Sequence, residues 1–368
     1  MEMTALLEVT ASGGVLPQGE VATRPGGMSM KTTTVMLTIT LATLGTGTPS
    51  ELIAQSIADE VRARVETARA AAADEHTYYF NRVCSVPIEA VGVAPVDLGD
   101  FPTVLPSTDP DREWYAGPVR VFEDLFFLGQ TAYSVWGLRT SEGVVLVDAI
   151  FDYSVEAEVI DGLRKLGIDP DEVLYVIVSH AHRDHSGGAG ILQQRYGAQV
   201  VMSEADWDLY EATSRDEVKA TRDVVATDGM ELRLGDHVVR TYLTPGHTLG
   251  TIATVLTVHD DGEEHLAMVH GGTSFNFRDA PDDPRDTRLR MYAESASRMR
   301  EIVLGGGIDV LLSNHTGFDN STLKMPELEE RREGDPHPYV IGTESVTRFL
   351  TVAEECAIAT RLAERPRA

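Results

Sequence analysis

The chain has 368 residues, with 31 Lys and Arg against 58 Asp and Glu and a formal charge of −27. A polyanionic partner needs a basic face, so this balance argues against a binder of duplex nucleic acid. Only two cysteines, Cys84 and Cys356, exclude a disulfide-framed scaffold or a cysteine-based zinc finger, while 42% hydrophobic and 24% charged residues suit a globular protein with a large core.

Residues 1–49 follow neither the helical nor the strand period and read as a flexible leader. Within them, Val35–Leu44 falls well short of the ~20 apolar residues that span a bilayer, so no membrane-spanning helix is expected. Met30-Lys31 ahead of that run would make it the core of a signal peptide. It has no clear small-residue cleavage site, which leaves a cytoplasmic protein as the expectation and secretion as the alternative. A helix then opens at Pro49-Ser50-Glu51 with Ser50 as N-cap. Ile53, Ile57, Val61 and Val65 recur every fourth residue and run as a stripe into Ala68–Ala73. That stripe over residues 50–73 packs either on the rest of the protein or on a second copy in a homodimer. The Pro- and Asp-rich stretch 87–118 reads as a surface connector, so residues 50–117 form a helical extension and connector.

From Val119 the pattern changes to short strands, with candidates at Val119–Leu128, Ala132–Arg139 and Gly143–Ile150. An amphipathic helix is expected at Val155–Leu166, a buried strand at Val173–Ser179, a helix from about Gly188 and a strand at Gln199–Met202. Strands dominate from Met230 to Val269, followed by a helix over Thr287–Leu304, a strand at Ile308–Leu312 and a closing helix at Val346–Leu362. This alternation predicts an α/β fold whose sheets carry helices on their outer faces. The core domain is expected over residues 118–320, with a C-terminal loop and helix over 321–368 packed on it.

The sharpest feature is VIVSHAHRDHSGG, which places His180, His182, Asp184 and His185 where an apolar strand leaves its sheet. Burying three imidazoles and a carboxylate unpaired would cost several kcal/mol, whereas metal ions would satisfy all four. His180 and His182 can converge on one ion, and Asp184 and His185 suit a second. His247 in LTPGHTLGT and His315 in SNHTGFDN also follow apolar strands. Together these residues make two three-ligand sets of a kind that suits zinc, with iron or manganese tolerated.

HAHRDH at 180–185 with TPGHT at 244–248 resembles the metallo-β-lactamase superfamily. The resemblance implies an αββα sandwich with a dinuclear site at one edge of the two sheets. It assigns His180, His182 and His247 to the first metal, and Asp184, His185 and His315 to the second. Most hydrolases of the superfamily place a metal-bridging Asp after the next strand, where this chain reads MVHGGTSFNF without an acid. The site thereby resembles that of the third subclass of zinc β-lactamases, which uses the late His instead. A zinc-dependent hydrolase of a small carbonyl compound (a β-lactam, lactone or ester) follows, with the second zinc the weaker. The alternatives are an iron-dependent redox enzyme for thiols or oxygen, a hydrolytic dehalogenase or sulfatase, and an interaction module on a decayed enzyme fold.

Asp184 is expected to orient the attacking water as well as to bind metal, and Asp148 to fix a ligand histidine unless it is a plain turn residue. Thr273, Ser274, Asn276 and Asn320 are candidate substrate contacts. His270 could approach the site from its strand, and Trp114, Tyr115 and Trp136 line the mouth or sit in the core. His76, His237, His259, His265 and His337 read as surface or hydrogen-bonded residues. Whether Cys84 and Cys356 pair stays open, because a sequence does not establish proximity.

Overall fold

In the computed structural model of the chain the described residues are 49–84, 93, 95–277 and 284–364. They all belong to one unit. The leader expected over 1–49 and the signal-like run from Met30 lie outside them, apart from Pro49. Among the described residues, no helix is long and apolar enough to cross a membrane.

Two sheets form the centre. The first runs in sequence order through β1 (Val119–Arg120), β2 (Leu125–Phe127), β3 (Trp136–Arg139), β4 (Val144–Val147), β5 (Val173–Ile177), β6 (Gln199–Ser203) and β7 (Val224–Ala226). Its pairs are antiparallel up to β4 and parallel from there on. The second sheet contains β8 (Met230–Leu234), β9 (His237–Leu243), β10 (Ile252–Asp260), β11 (Glu263–His270) and β12 (Val310–Ser313) in the order β12-β11-β10-β9-β8. Only β11–β12 in it is parallel.

The period of two along each strand builds the layers. Val145 and Val147 face the core between the sheets, where they meet Leu256, Val269 and Leu312 of the second sheet. Val144 and Leu146 face the opposite way, toward an outer helix layer. That layer holds a π-helical turn Glu156–Ile160 continued by α3 (Asp161–Lys165), then α5 (Ala189–Tyr196) and α6 (Glu204–Thr213). On the far side, Ala253, Val255, Met268 and Leu311 pack against α1 (Pro49–Ala72), α2 (Thr77–Val83), α7 (Arg285–Gly306) and α9 (Gly342–Ala363). The result is the expected αββα sandwich, with the helical extension forming part of one outer layer.

Some expectations change, and two that the sequence left open are answered. The first helix begins at Pro49, so Ser50 sits in its first turn rather than at its N-cap. Val61, Val65, Ala68 and Ala72 are buried in the same cluster as α9, and Arg64 pairs with Glu355 at 3.0 Å, so the stripe packs within its own chain. Cys84 and Cys356 form a disulfide across 272 residues and tie the end of α2 to α9. The run 119–128 breaks into two strands because Val121 and Phe122 turn back to donate to the Leu125 carbonyl. Helices α2, α6 and α8 (Ser321–Glu330) were not expected.

Two buried histidines give the fold an acid sensitivity. His76, beside the carbonyl and hydroxyl of Ser345 at 3.0 Å, and His270 are each pushed down to about 4 by burial. Both stay neutral in the fold at pH values where the unfolded chain, near 6.5, takes up a proton. Stability therefore falls as pH drops from about 6.5 to about 4, by up to about 3 kcal/mol per group. Urea unfolding of the metal-free protein over that range should show this slope, and His270→Gln should flatten it; an unchanged slope would contradict the assignment.

Candidate metal centre

All six ligand candidates stand at one rim of the sandwich. β5 ends at Ile177 and delivers His180, His182 and the short helix α4 (Arg183–Ser186). The β9–β10 turn delivers His247, and β12 ends at Ser313, two residues before His315. The rim is stitched across the sheets: Ile252 N donates to Ser179 O at 2.8 Å, and Asn314 Nδ2 donates to Ser179 Oγ at 3.3 Å.

Two compact donor groups result, His180–His182–His247 and Asp184–His185–His315, each with its donor atoms within 4.8 Å of one another. In the first, His182 Nδ1 lies 3.1 Å from His247 Nε2, which lies 3.2 Å from His180 Nε2. Tetrahedral zinc with Zn–N bonds of about 2.0–2.1 Å keeps its nitrogens about 3.3–3.4 Å apart, so this spacing fits one ion. In the second group His185 Nε2 is 3.1 Å from Asp184 Oδ2, and His315 Nε2 is 3.9 Å from the same oxygen. His185 Nε2 is buried and, although only 3.1 Å from Asp184 Oδ2, is not oriented to make a hydrogen bond. A cation between the two atoms would satisfy both, and the residues fit the group that the sequence implies.

The far sides of the rings are held as metal ligands require. Asp148, in the left-handed region at φ 72°, accepts from Ser179 N at 2.6 Å, Ser179 Oγ at 3.0 Å and His185 Nδ1 at 2.8 Å. Its carboxylate thus meets the far side of the His185 ring. His247 Nδ1 donates to Ser274 O at 2.7 Å, which turns its Nε2 toward the cluster. Beneath that loop, the fully buried Arg288 donates from Nε to Gly246 O at 2.8 Å and from Nη2 to His247 O at 2.6 Å. Tyr292, one turn further along α7, donates to Gly272 O and is 3.1 Å from Tyr79 Oη of the helical extension.

The electrostatics follow from this crowding. Burial and the neighbouring imidazoles hold His180 well below its ordinary value, and burial with the nearby His185 pushes His315 down to about 3. Burial also opposes charge on His185, yet Asp184 and Asp148 raise it to about 10. Burial likewise works against ionised Asp184, but His185 beside it keeps its carboxyl well below the usual range. The second group thus carries a proton that a cation would displace, so metal binding there is coupled to pH.

Over the donors lies a cavity of about 510 Å³, lined by His182, Asp184, His247 and His315 with Arg183, Thr213–Asp216, Ser274 and Asn276. Ser274 and Asn276 therefore reach the cleft, whereas Thr273 is buried and not part of its lining. Asn320 is corrected: its Nδ2 donates to Glu75 O at 2.6 Å and it precedes α8, away from the cavity wall. His270 points to Tyr292 and Phe349 in the helix layer instead of the cleft. Trp136 is core, with Nε1 on Ser313 O at 2.9 Å, and Trp114 and Tyr115 pack on Arg112 outside the cavity lining. His76 and His337 are buried and hydrogen-bonded rather than on the surface.

Asp206 was not foreseen. It accepts from Ala181 N and Thr248 Oγ1, both at 2.9 Å, and from Gly250 N at 3.1 Å, joining the two ligand loops. Burial raises it to about 6. Its only signal in the sequence is an acid three residues after Ser203, which caps α6.

Comparison with known proteins bears on the family and the fold. Residues 127–262 match the family described as the metallo-beta-lactamase superfamily, and this part of the chain is a domain of that family. A probable polyketide biosynthesis zinc-dependent hydrolase, BaeB of Bacillus velezensis, is 30% identical over 121 residues, covering 33% of this chain and 48% of that protein. An N-acyl homoserine lactonase of a Bacillus species is 27% identical over 154 residues, 40% of this chain and 58% of that one. The mitochondrial persulfide dioxygenase ETHE1 of Homo sapiens is 30% identical over 144 residues, 38% and 50% of the two chains. The chain thus spans about half the length of the curated relatives it matches. Among solved structures, BJP-1, a subclass B3 metallo-beta-lactamase of Bradyrhizobium japonicum, aligns with TM-score 0.57 at 24% identity, over 67% of this chain and 95% of that one. The fold is that of the metallo-β-lactamases.

Proposed function

We propose that the protein is a zinc-dependent hydrolase of a small carbonyl substrate of β-lactam, lactone or ester type. The observation that carries this reading is the pair of three-donor groups at one rim, opening on a single cavity. His180, His182 and His247 would hold the first ion, and Asp184, His185 and His315 the second. Bound there, zinc supplies Lewis acidity and lowers the pKa of a coordinated water from 15.7 to about 7. Asp184 has a second oxygen with which to accept and orient a proton of the attacking water. Asp148 keeps the His185 ring turned to its ion. Ser274 and Asn276 on the cavity wall can hydrogen-bond a substrate carboxylate or oxyanion.

Gly272 bears on the second ion. A Cβ at this position would lie 2.7 Å from His247 Cβ, so no bridging carboxylate fits at that residue. The second ion then relies on its own three protein donors, which supports weaker binding there. His315→Ala should weaken the second zinc by at least about 100-fold while the first stays tight. Titration against a chromogenic chelator reads both steps, and two tight zincs in that variant would contradict the assignment.

The function is tested with a hydrolysis panel of β-lactams, lactones, thioesters and aryl esters, with metal content measured alongside. Chelator-sensitive turnover of one class by zinc-loaded protein is expected. A metal-free preparation that takes up no zinc, or zinc-loaded protein inert toward every class, would overturn it. Iron in excess over zinc, with visible absorbance, would move the reading to redox chemistry. The Cys84–Cys356 disulfide supports an oxidising compartment over the cytoplasm.

A further inference from the structure

The opposite rim of the sandwich carries another meeting point of ligand-type side chains. His237 opens β9, His259 lies one residue before the end of β10, and Asp124 sits in the turn between β1 and β2. β9 runs from His237 toward the His247 loop, and six residue steps of strand to Leu243 already separate the two rims by about 20 Å. None of these three residues takes part in the centre described above.

Their donor atoms lie within 4.8 Å of one another. Asp124 Oδ2 is 2.7 Å from His237 Nε2 and 2.6 Å from His259 Nδ1. The carboxylate is fixed from behind, because its Oδ1 accepts the His259 backbone N–H at 3.1 Å and its own carbonyl accepts Arg139 N at 2.7 Å. That leaves Oδ2 as the atom presented to both rings. The side chains of Asp124 and His237 are 12% and 11% exposed and that of His259 is 27% exposed, so the group is sheltered on one side and open to water on the other.

We propose that Asp124, His237 and His259 form a third site for a divalent cation of the zinc type, with a structural role. Two imidazole nitrogens and one carboxylate oxygen, with an outside position left for water, make a donor set that suits a four-coordinate ion. The cation replaces the proton that each ring shares with Oδ2, which requires each N···O pair to open from its hydrogen-bond distance to about 3.3 Å. The partly exposed His259 ring has room for that movement. Asp124 belongs to the first sheet's hairpin, whereas His237 and His259 belong to the second sheet. A cation here would therefore clamp the two sheets at the rim away from the reaction.

Zinc titration of the chelator-stripped full chain tests the proposal. Wild-type protein should take up three equivalents, and His259→Gln and Asp124→Asn should each take up two. Hydrolysis, where present, and the two equivalents at the catalytic rim should stay unchanged in both variants. Zinc should also raise the Tm of His182→Ala, an increase that the additional change His259→Gln should reduce, with the second ion at the catalytic rim supplying the remainder. A wild-type stoichiometry of two, or a third equivalent retained in both single variants, would overturn the site.

Discussion

His182→Ala should abolish tight binding of the first zinc and lower kcat/KM by at least about 1,000-fold, because the acidified water is lost with the metal. His182 stands on the loop between β5 and α4, with Nδ1 among three imidazole nitrogens that converge at 3.1–3.2 Å. Removing it leaves two donors, too few for a site that keeps one position free for chemistry. The ring is only partly buried, so the metal-free fold should lose no more than about 1 kcal/mol. Zinc titration and urea unfolding measured together separate the effects. Full first-site affinity in this variant would refute its place as a ligand.

Arg288→Met is expected to weaken the first zinc by about 10- to 100-fold, although residue 288 touches no metal. Its guanidinium is fully buried and holds the carbonyls of Gly246 and His247, so the loop that aims the His247 ring rests on it. Ser295 Oγ on the same helix holds Pro245 O at 2.8 Å, and Tyr292 holds Gly272. Two buried carbonyls would each lose a charged donor, at a cost of about 2–4 kcal/mol in stability. Arg288→Lys keeps one charged donor and should recover part of the affinity. A positioning role predicts that the first site weakens more than the second. A fall in Tm with both zinc affinities intact would mean that Arg288 supports only the fold. Through Tyr79 on Tyr292 and the disulfide to α9, the helical extension shares in this support.

The clustering of donor side chains at one rim was legible because its signal is local. Each ligand follows an apolar strand, and imidazoles at 180, 182 and 185 with a carboxylate at 184 have few other uses. The strands were legible through their period, and the parallel ones through continuous apolar runs such as Val144–Val147. What escaped depends on distant packing. Cys84 and Cys356 meet only because α2 and α9 pack side by side. Asn320 looks like a pocket residue until its amide is seen on Glu75, 245 residues away. Helix α6 was hidden by acids along EADWDLYEAT, although Ser203 caps it, and α8 by the Pro326 within it. His237 and His259 read as surface or hydrogen-bonded residues without a named partner, since only the pairing of β9 with β10 sets them beside Asp124.

The arrangement of two ions at one rim is tested most directly by anomalous diffraction at the zinc edge from crystals of zinc-loaded protein. One peak is expected among His180, His182 and His247 and another among Asp184, His185 and His315. Peaks confined to other places, or His247 or His315 lying far from the 180–185 loop, would contradict it.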